Sequence, residues 1–231
     1  MSIDESIKNC EIYLKQLQKY DPDPFYVKHF LNDFLNSVNK IFDGIFEEAN
    51  RDFGFAISGK ITQKEFFEEA KKRNDENAIK FSEWYYNKEI QEHQNTYPKI
   101  MKKIYDFRKK FKKLPKVKIM IRALDRYKGD INQQIKFSLI NGKLRSKDEL
   151  NFEVKRQLPI FLEIINQKRR GKNEPKVSSN QVVVSAFLDI DDFFDVEISY
   201  TSEIYLSVIR RIVIDSRMKI KELTAWNQAK N

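Results

Sequence analysis

The sequence predicts a mainly α-helical protein with a small mixed insertion before its last helix. First, apolar residues recur at helical spacing through residues 24–53 and again from residue 202 onward. Second, the 231 residues include only 6 Gly and 6 Pro, and so few chain-breaking residues favour long helices over many short strands. Third, the helical rhythm is lost between residues 116 and 180. An apolar content of 41% is enough for a sizeable core.

Two helices are predicted at the start of the chain. The first has a narrow apolar seam, typical of a helix that packs on one neighbour, made of Ile3, Ile7, Cys10, Leu14 and Leu17. Asp23 is a suitable N-cap for a second helix that begins with Pro24 and runs to about Phe53. Its apolar face includes Phe34 and Val38. Its opposite face carries Asn32, Asp33, Asn36, Asn39, Lys40 and Glu47.

More helices are expected before residue 116. Thr62 and Glu65 form a capping box at the start of a helical stretch that is interrupted near Asn74. A later helix starts at Tyr97 and ends or kinks at Pro115. Its apolar face is predicted to hold Met101, Ile104, Tyr105 and Phe111, together with Arg108.

The insertion is predicted to mix strands and helix. Alternating apolar residues lead into Asn141-Gly142, the strongest short signal for a β-hairpin. Residues 150–167 are predicted to be helical with a kink at Pro159, and residues 168–175 to form an exposed linker. Residues 182–200 are strand-like but ambiguous.

The last helix is expected from about Ser202, with Ile209 facing inward. We therefore expect one helical domain over residues 1–231. Long helices occupy 1–115, a basic and mixed insertion with a hairpin and an acidic loop occupies 116–200, and a closing helix occupies 201–231.

The net charge is concentrated in one basic segment, residues 108–128. This segment has ten basic residues against one acidic residue, Asp125. The whole chain has 43 Lys and Arg against 34 Asp and Glu, which leaves 33 of each elsewhere, so the formal charge of +9 lies entirely here. Such a local field attracts phosphate backbones or anionic surfaces. The candidate nucleic-acid-binding residues are Arg108, Lys109, Lys110, Lys112, Lys113, Lys116, Lys118, Arg122, Arg126 and Lys128.

Each of these assignments has a simpler alternative. Basic residues interleaved with aromatic ones are typical of a nucleic-acid surface, but a charge run is also common on a solvated face that only aids solubility. Arg108 is either an anchor for an anion or a half-buried side chain paired with a carboxylate from a neighbouring helix.

Three sequence patterns resemble the HEPN superfamily of helical bundles. They are the helix around Phe34, in the stretch FLNDFLNSV, the aromatic helix around Trp84, in FSEWY, and a later helix with one inward Arg, Arg108. The resemblance covers residues 22–115 and the final helix. It implies an antiparallel four- or five-helix up-and-down bundle, often dimeric. Many members are RNases in toxin–antitoxin and defence systems, and others bind only RNA, nucleotides or partner proteins.

The catalytic signature of the active members is absent from this chain. Those members have Arg, then four to six residues of any kind, then His. From Arg108 the three permitted positions hold Lys113, Leu114 and Pro115. RNA cleavage through the 2′-OH needs a group that titrates near neutral pH, the role for which His is suited. The resemblance therefore implies no catalytic residues and no ribonuclease activity.

Other candidate sites are assigned simpler roles. Asp189, Asp191, Asp192, Asp195 and Glu197 offer oxygen ligands of the kind that Mg²⁺ takes, but a turn or an acidic counterpart to the basic segment is favoured. His29 is interpreted as a packed or interfacial side chain and His93 as a solvated one. Neither has a second His four residues later, so no zinc site is expected. No metal and no cofactor is predicted.

The single cysteine, Cys10, excludes an intramolecular disulfide and fits a reducing compartment. No signal peptide is read, and no apolar run approaches the roughly 18 residues that a membrane span needs. We therefore expect a cytoplasmic protein with no membrane partner.

Two classes of function are favoured after these exclusions. In the first, the chain is a non-catalytic HEPN-like bundle that binds RNA, another nucleic acid or a nucleotide through the basic segment. In the second, it is a protein–protein interaction module, for example of a defence or toxin–antitoxin system, with an acidic protein or a second copy in a homodimer as partner. A structural domain without ligand, and an enzyme of unrecognised chemistry, stay open.

Overall fold

The computed structural model describes residues 2–125, 129–130, 147–190 and 193–228. Within these ranges the chain forms seven α-helices and a small antiparallel sheet. The helices are α1 Ile3–Tyr20, α2 Pro24–Asp52, α3 Gln63–Lys72, α4 Glu76–Glu92, α5 Thr96–Phe111, α6 Lys147–Arg170 and α7 Ile198–Gln228. The strands are β1 Lys116–Asp125, β2 Gly129–Asp130, β3 Val182–Ile190 and β4 Phe193–Glu197, in the spatial order β2-β1-β3-β4. The prediction of a mainly helical protein is confirmed.

The starts of α2 and α3 read from the sequence are also confirmed. The Asp23 carboxylate accepts hydrogen bonds from the first free N–H groups of α2, which begins with Pro24. Thr62 and Glu65 form the predicted capping box at the start of α3. Asn74 adopts a left-handed backbone, with φ of 54°, and separates α3 from α4.

The core lies between the long helices. Helix α7 packs against α1, α2, α4 and α5. Phe34, Val38 and Ile209, which the sequence places inward, are each no more than 1% exposed. Full burial of such a side chain contributes about 1.5–3 kcal/mol, so these two helices supply much of the apolar stabilisation.

Aromatic side chains fix α3 and α4 on α2. The ring of Phe46 lies 5.8 Å from that of Phe66 and 4.8 Å from that of Tyr85, centroid to centroid. Phe81 completes the cluster at 5.9 Å from Phe66. These separations are typical of favourable edge and tilted ring contacts.

Several predicted boundaries are wrong. Helix α7 begins at Ile198 and not near Ser202, because β4 ends its pairing with β3 at Glu197 and Ile198 turns into the core. The prediction that Phe111 lies on the buried face of α5 is also wrong. Phe111 is 48% exposed and lies against Phe107 on the surface.

The predicted exposed linker is partly helical and partly buried. Helix α6 continues through Pro159 to Arg170. Arg169 is only 5% exposed, because it donates a 2.6 Å hydrogen bond to the carbonyl of Pro175 and pairs with Glu174 at 3.4 Å. The chain after α6 therefore folds back onto the end of the helix.

The sheet joins the two ends of the insertion. Strand β1 pairs with β3 from Lys116, opposite Asp189, to Ala123, opposite Val182. The strand-like character predicted for residues 182–200 is confirmed for Val182–Ile190 and Phe193–Glu197 and is wrong for residues 198–200, which begin α7. The hairpin predicted at Asn141-Gly142 lies outside the described residues.

The connection between α1 and α2 is anchored to this sheet. One oxygen of the Asp21 carboxylate accepts a 2.6 Å hydrogen bond from the N–H of Ala186, and the other accepts one of 3.2 Å from the hydroxyl of Ser199. Burial is the largest influence on this carboxyl group and raises its pKa to about 6. Among the helices that the structure describes, none is both long and apolar enough to cross a membrane.

Candidate nucleic-acid interface

The helical end of the basic segment borders a cleft of about 410 Å³. Helix α2 forms one wall, and the last turn of α5 with the two residues after it forms the other. Lys60, from the loop before α3, completes the rim. The lining residues are Asn32, Asn36, Asn39, Lys60, Tyr105, Arg108, Lys109, Lys112 and Lys113.

Three asparagines form a row along α2. Asn32, Asn36 and Asn39 are spaced by four and three residues, so they share one face of the helix, beside the face that carries the core residues. The carbonyl oxygen of Asn36 accepts a hydrogen bond from Arg108, and that of Asn39 accepts one of 2.8 Å from the hydroxyl of Tyr105. With these oxygens engaged, the two side-chain amino groups remain as hydrogen-bond donors at the cleft.

The cleft is strongly cationic. Five of its lining side chains are Lys or Arg, and none of the described residues that line it is acidic. Lys60 pairs at 2.9 Å with Asp43, which lies outside the lining, and this hydrogen bond raises the pKa of Lys60. Lys109, Lys112 and Lys113 are exposed and form no ion pair with any described residue. Their positive charges therefore face the solvent.

The position of the charges has one simple structural cause. Basic residues in the last turn of a helix interact favourably with its negative end, which accounts for Arg108, Lys109 and Lys110. A left-handed backbone at Lys112, with φ of 55°, then ends the helix. The helix end does not account for Lys60 or for the asparagine row, which come from other elements and border the same cleft.

Among the residues that the structure describes, Arg108 has no carboxylate partner, although its side chain is half-buried. Its partner is the neutral amide of Asn36. An amide oxygen satisfies one guanidinium N–H but leaves the positive charge uncompensated. Among the described residues the carboxylate pair, one of the two alternatives read from the sequence, is not seen, and Arg108 lines the cleft.

The strand half of the basic segment is arranged differently. Lys116 is exposed and Lys118 half-buried on β1. Arg122 is mostly buried, pairs with Glu197 at the end of β4, and lies 4.9 Å from the ring centre of Phe187. These contacts make Arg122 part of the sheet rather than of a free surface. Arg126 and Lys128 lie outside the described residues, and Lys110 is exposed beside Phe111 without lining the cleft.

Glu197 is the one member of the acidic run whose side chain is described. Its pair with Arg122 agrees with the expectation of an acidic counterpart to the basic segment. The side chains of Asp189, Asp191, Asp192 and Asp195 lie outside the described part. Among the side chains that are described, no group of three or more His, Cys, Asp or Glu is placed to hold a metal ion.

The two histidines are both engaged. His29 is exposed and lies 3.5 Å from Asp33 on α2. His93 is only 8% exposed, so the prediction of a solvated side chain is wrong. Its Nδ1 lies 2.7 Å from the carbonyl oxygen of Glu89, which only accepts, so this nitrogen carries a proton. Its Nε2 lies 3.2 Å from the hydroxyl of Tyr205, whose pKa burial raises far above its usual range.

The single cysteine is buried as well. Desolvation raises the pKa of the Cys10 thiol to about 12, and its Sγ lies 3.8 Å from the carbonyl oxygen of Phe34. The thiolate is the reactive form, so Cys10 is a core residue and not a nucleophile.

Comparison of the chain with protein-family models, with curated proteins and with solved structures finds no match. The geometry of the site therefore carries the functional argument by itself.

Sequence reasoning identified the lysines of the cleft but not its amides. The row of Asn32, Asn36 and Asn39 was assigned only as the polar face of α2. Its regular spacing is a signal in the sequence. Asparagine is a poor helix former, so three asparagines on one face lower the stability of the helix unless they have another role. Lys60 gave no such signal, because only the fold brings its loop to α5.

Proposed function

We propose that this chain binds the sugar–phosphate backbone of single-stranded nucleic acid, RNA in the first place, in the cleft between α2 and α5. The observation that carries the proposal is the convergence of five cationic side chains and three amides with no carboxylate among the described lining residues. Backbone binding depends on such cations and on neutral donors such as Asn. Asn side chains also donate to or accept from the 2′-OH that distinguishes RNA from DNA.

Binding without cleavage is the expected outcome. No His lines the cleft among the described residues, and both ring nitrogens of His93 already have partners. We expect the purified chain to leave labelled RNA intact over hours. Reproducible cleavage that is lost in Arg108→Ala would contradict this expectation, because another group would then supply the proton transfer.

We further propose that the helices form an antiparallel four- or five-helix up-and-down bundle of the HEPN type. Short connections support the proposal, since residues 21–23 join α1 to α2 and residues 93–95 join α4 to α5. Short loops between long helices favour antiparallel neighbours. The contacts of α7 with α1, α2, α4 and α5 are consistent with a closing helix in such a bundle.

The test is the salt dependence of RNA binding. Anisotropy of a labelled single-stranded RNA would be measured from low to high KCl for the parent and for the triple variant Lys109→Gln, Lys112→Gln, Lys113→Gln. Each lost phosphate contact lowers the log–log slope by about 0.7, so we expect a fall of about 2 together with a similar loss of affinity for every RNA sequence.

The matched control removes three exposed lysines of α1 that do not line the cleft, Lys8→Gln, Lys15→Gln and Lys19→Gln. The net charge changes equally in both triple variants. If both lower the slope to the same extent, the binding is a general charge effect and the cleft is not the site. If no RNA or DNA binds to the parent, the proposal fails.

An acidic protein partner is the second candidate. The pair between Arg122 and Glu197 shows that a carboxylate is accommodated within the basic segment. The partner would be the other protein of a toxin–antitoxin or other defence pair, or a second copy in a homodimer. Its carboxylates would contact the lysines of the cleft. Failure of nucleic-acid binding, together with a complex that the triple cleft variant abolishes, would favour this candidate.

A further inference from the structure

A second pocket of about 300 Å³ adjoins the cationic cleft. The two cavities share Asn39, Tyr105 and Lys109 in their linings. The second pocket extends from there between α2, α4, α5 and α7. Its volume is at the lower end of the roughly 300–1,000 Å³ of small-molecule sites, which suits one compact group and not a run of several bases.

Aromatic side chains form part of the wall of this pocket. Phe42, Phe46, Tyr85 and Tyr105 contribute rings. Phe46 and Tyr85 are fixed by the aromatic cluster that joins α2 to α4, while Phe42 is half-buried. Base–aromatic stacking is a general means of holding unpaired nucleotides beside a cationic groove.

The polar groups of the pocket include two carboxylates, beside donors such as Lys102, Lys109 and Gln63. Asp43 and Glu89 provide carboxylates, and the carboxylate of Asp43 is held by Lys60 at 2.9 Å. Carboxylates accept hydrogen bonds from the exocyclic amino groups of bases, as in pairing with the cytosine amino group, and have no favourable contact with a carbonyl at the same place. The inner wall is fixed, because His93 is held between Glu89 and Tyr205.

We propose that this pocket holds the base of one unpaired nucleotide whose phosphate lies in the cationic cleft, and that it selects bases with an amino group. The inference rests on the proposed function, since the phosphate position is the one assigned there. It adds a site for the base and a direction of selectivity. The cleft alone would bind every sequence equally.

The proposal is tested by titrating three small ligands into the full chain. Cytidine 5′-monophosphate and uridine 5′-monophosphate differ at ring position 4, amino against carbonyl, and at N3, which accepts in cytosine and donates in uracil. Ribose 5-phosphate has no base. Isothermal titration should give the highest affinity for cytidine 5′-monophosphate, at least about fivefold above uridine 5′-monophosphate, and the lowest for ribose 5-phosphate.

Single substitutions test the separate roles of the aromatic ring, the carboxylate and the lysine. Phe42→Leu should weaken both nucleotides at least about fivefold and leave ribose 5-phosphate unchanged. Glu89→Gln keeps the size of a half-buried side chain and should reduce the preference for the amino-bearing base. Lys112→Gln should weaken all three ligands by a similar factor, since Lys112 lines the cationic cleft and not the second pocket.

The outcomes separate this proposal from the proposed function. Equal affinity for all three ligands would overturn the base pocket, while salt-dependent RNA binding through the lysines would leave the proposed function standing. Equal affinity for the two nucleotides, both above ribose 5-phosphate, would overturn the reading of the amino group by Asp43 and Glu89. Absence of RNA binding in the parent would overturn both proposals.

Discussion

The two halves of the basic segment have similar composition and different surroundings. In the helical half, Lys109, Lys112 and Lys113 are exposed, have no ion-pair partner among the described residues, and border a cleft with neutral amides. In the strand half, Arg122 pairs with Glu197 and packs over an aromatic ring. The charge of Arg122 is thus compensated within the fold, whereas the described lysines of the helical half present theirs to solvent.

This difference shows what a run of charge indicates about function. A local excess of Lys and Arg creates a field, but only the fold decides which charges acquire internal partners. Cations with partners contribute to stability and cations without them are available to a ligand. We therefore expect changes in the strand half to affect unfolding and changes in the helical half to affect binding.

The largest expected effect is on stability, at Arg122. Arg122→Met keeps an apolar stem against Phe187 but leaves the Glu197 carboxylate without its partner. Breaking a largely buried pair in this way costs about 3 kcal/mol of unfolding free energy. Urea denaturation measures the loss, and the salt slope of RNA binding should not change. The double variant Arg122→Met, Glu197→Leu is the control, since removing both charges should restore part of the stability; no restoration would contradict the account of the pair.

The next effect depends on pH and concerns Asp21, which lies in the field of both Arg122 and Glu197. Its carboxyl group has a folded pKa of about 6, above the unfolded value of about 3.9. Between these values the folded chain holds a proton that the unfolded chain has lost. The contribution of this group to stability is therefore full below pH 4 and is lost as the pH rises through 6.

Asp21→Asn removes this titration and keeps an oxygen for the N–H of Ala186. The unfolding free energy of the variant, relative to that of the parent, should rise by about 2 kcal/mol between pH 4 and pH 7. Urea unfolding at several pH values measures the difference. A difference that stays constant with pH would show that Asp21 titrates normally and that its burial has little effect.

The smallest stability effects are expected at the exposed lysines of the cleft. Neutralising Lys112 or Lys113 to Gln should change the unfolding free energy by no more than about 0.5 kcal/mol, because neither side chain packs against the core. Thermal or urea unfolding checks this value. A loss of unfolding free energy near that of Arg122→Met would indicate that these lysines pair within the fold, and the two halves of the basic segment would then not differ.

The fold can be predicted from the sequence where the signal is local. Helix caps at Asp23 and Thr62 and the buried face that contains Phe34 follow from spacing and side-chain chemistry within a few residues. The pairing of β1 with β3 does not, because about 60 residues separate the strands and no local pattern specifies their register. The burial of His93 cannot be predicted locally for the same reason, since it depends on Tyr205 in a distant helix.

The candidate site was predictable in part. The lysines at the end of α5 stand out as a charge run, whereas the contribution of Lys60 and of the asparagine row depends on tertiary packing. Arg122 shows the converse limit, because it belongs to the same charge run as the cleft lysines and only its contacts with Glu197 and Phe187 in the fold distinguish it.

The most direct test of the central claim compares the salt slopes of two double variants with equal charge change. Lys112→Gln, Lys113→Gln alters the helical half, and Lys116→Gln, Lys118→Gln alters the strand half. For binding of single-stranded RNA, the first should lower the log–log slope by about 1.4 and the second should leave it at the parent value. Equal falls in both variants, or a fall only in the strand variant, would contradict the assignment of the cleft between α2 and α5 as the binding site.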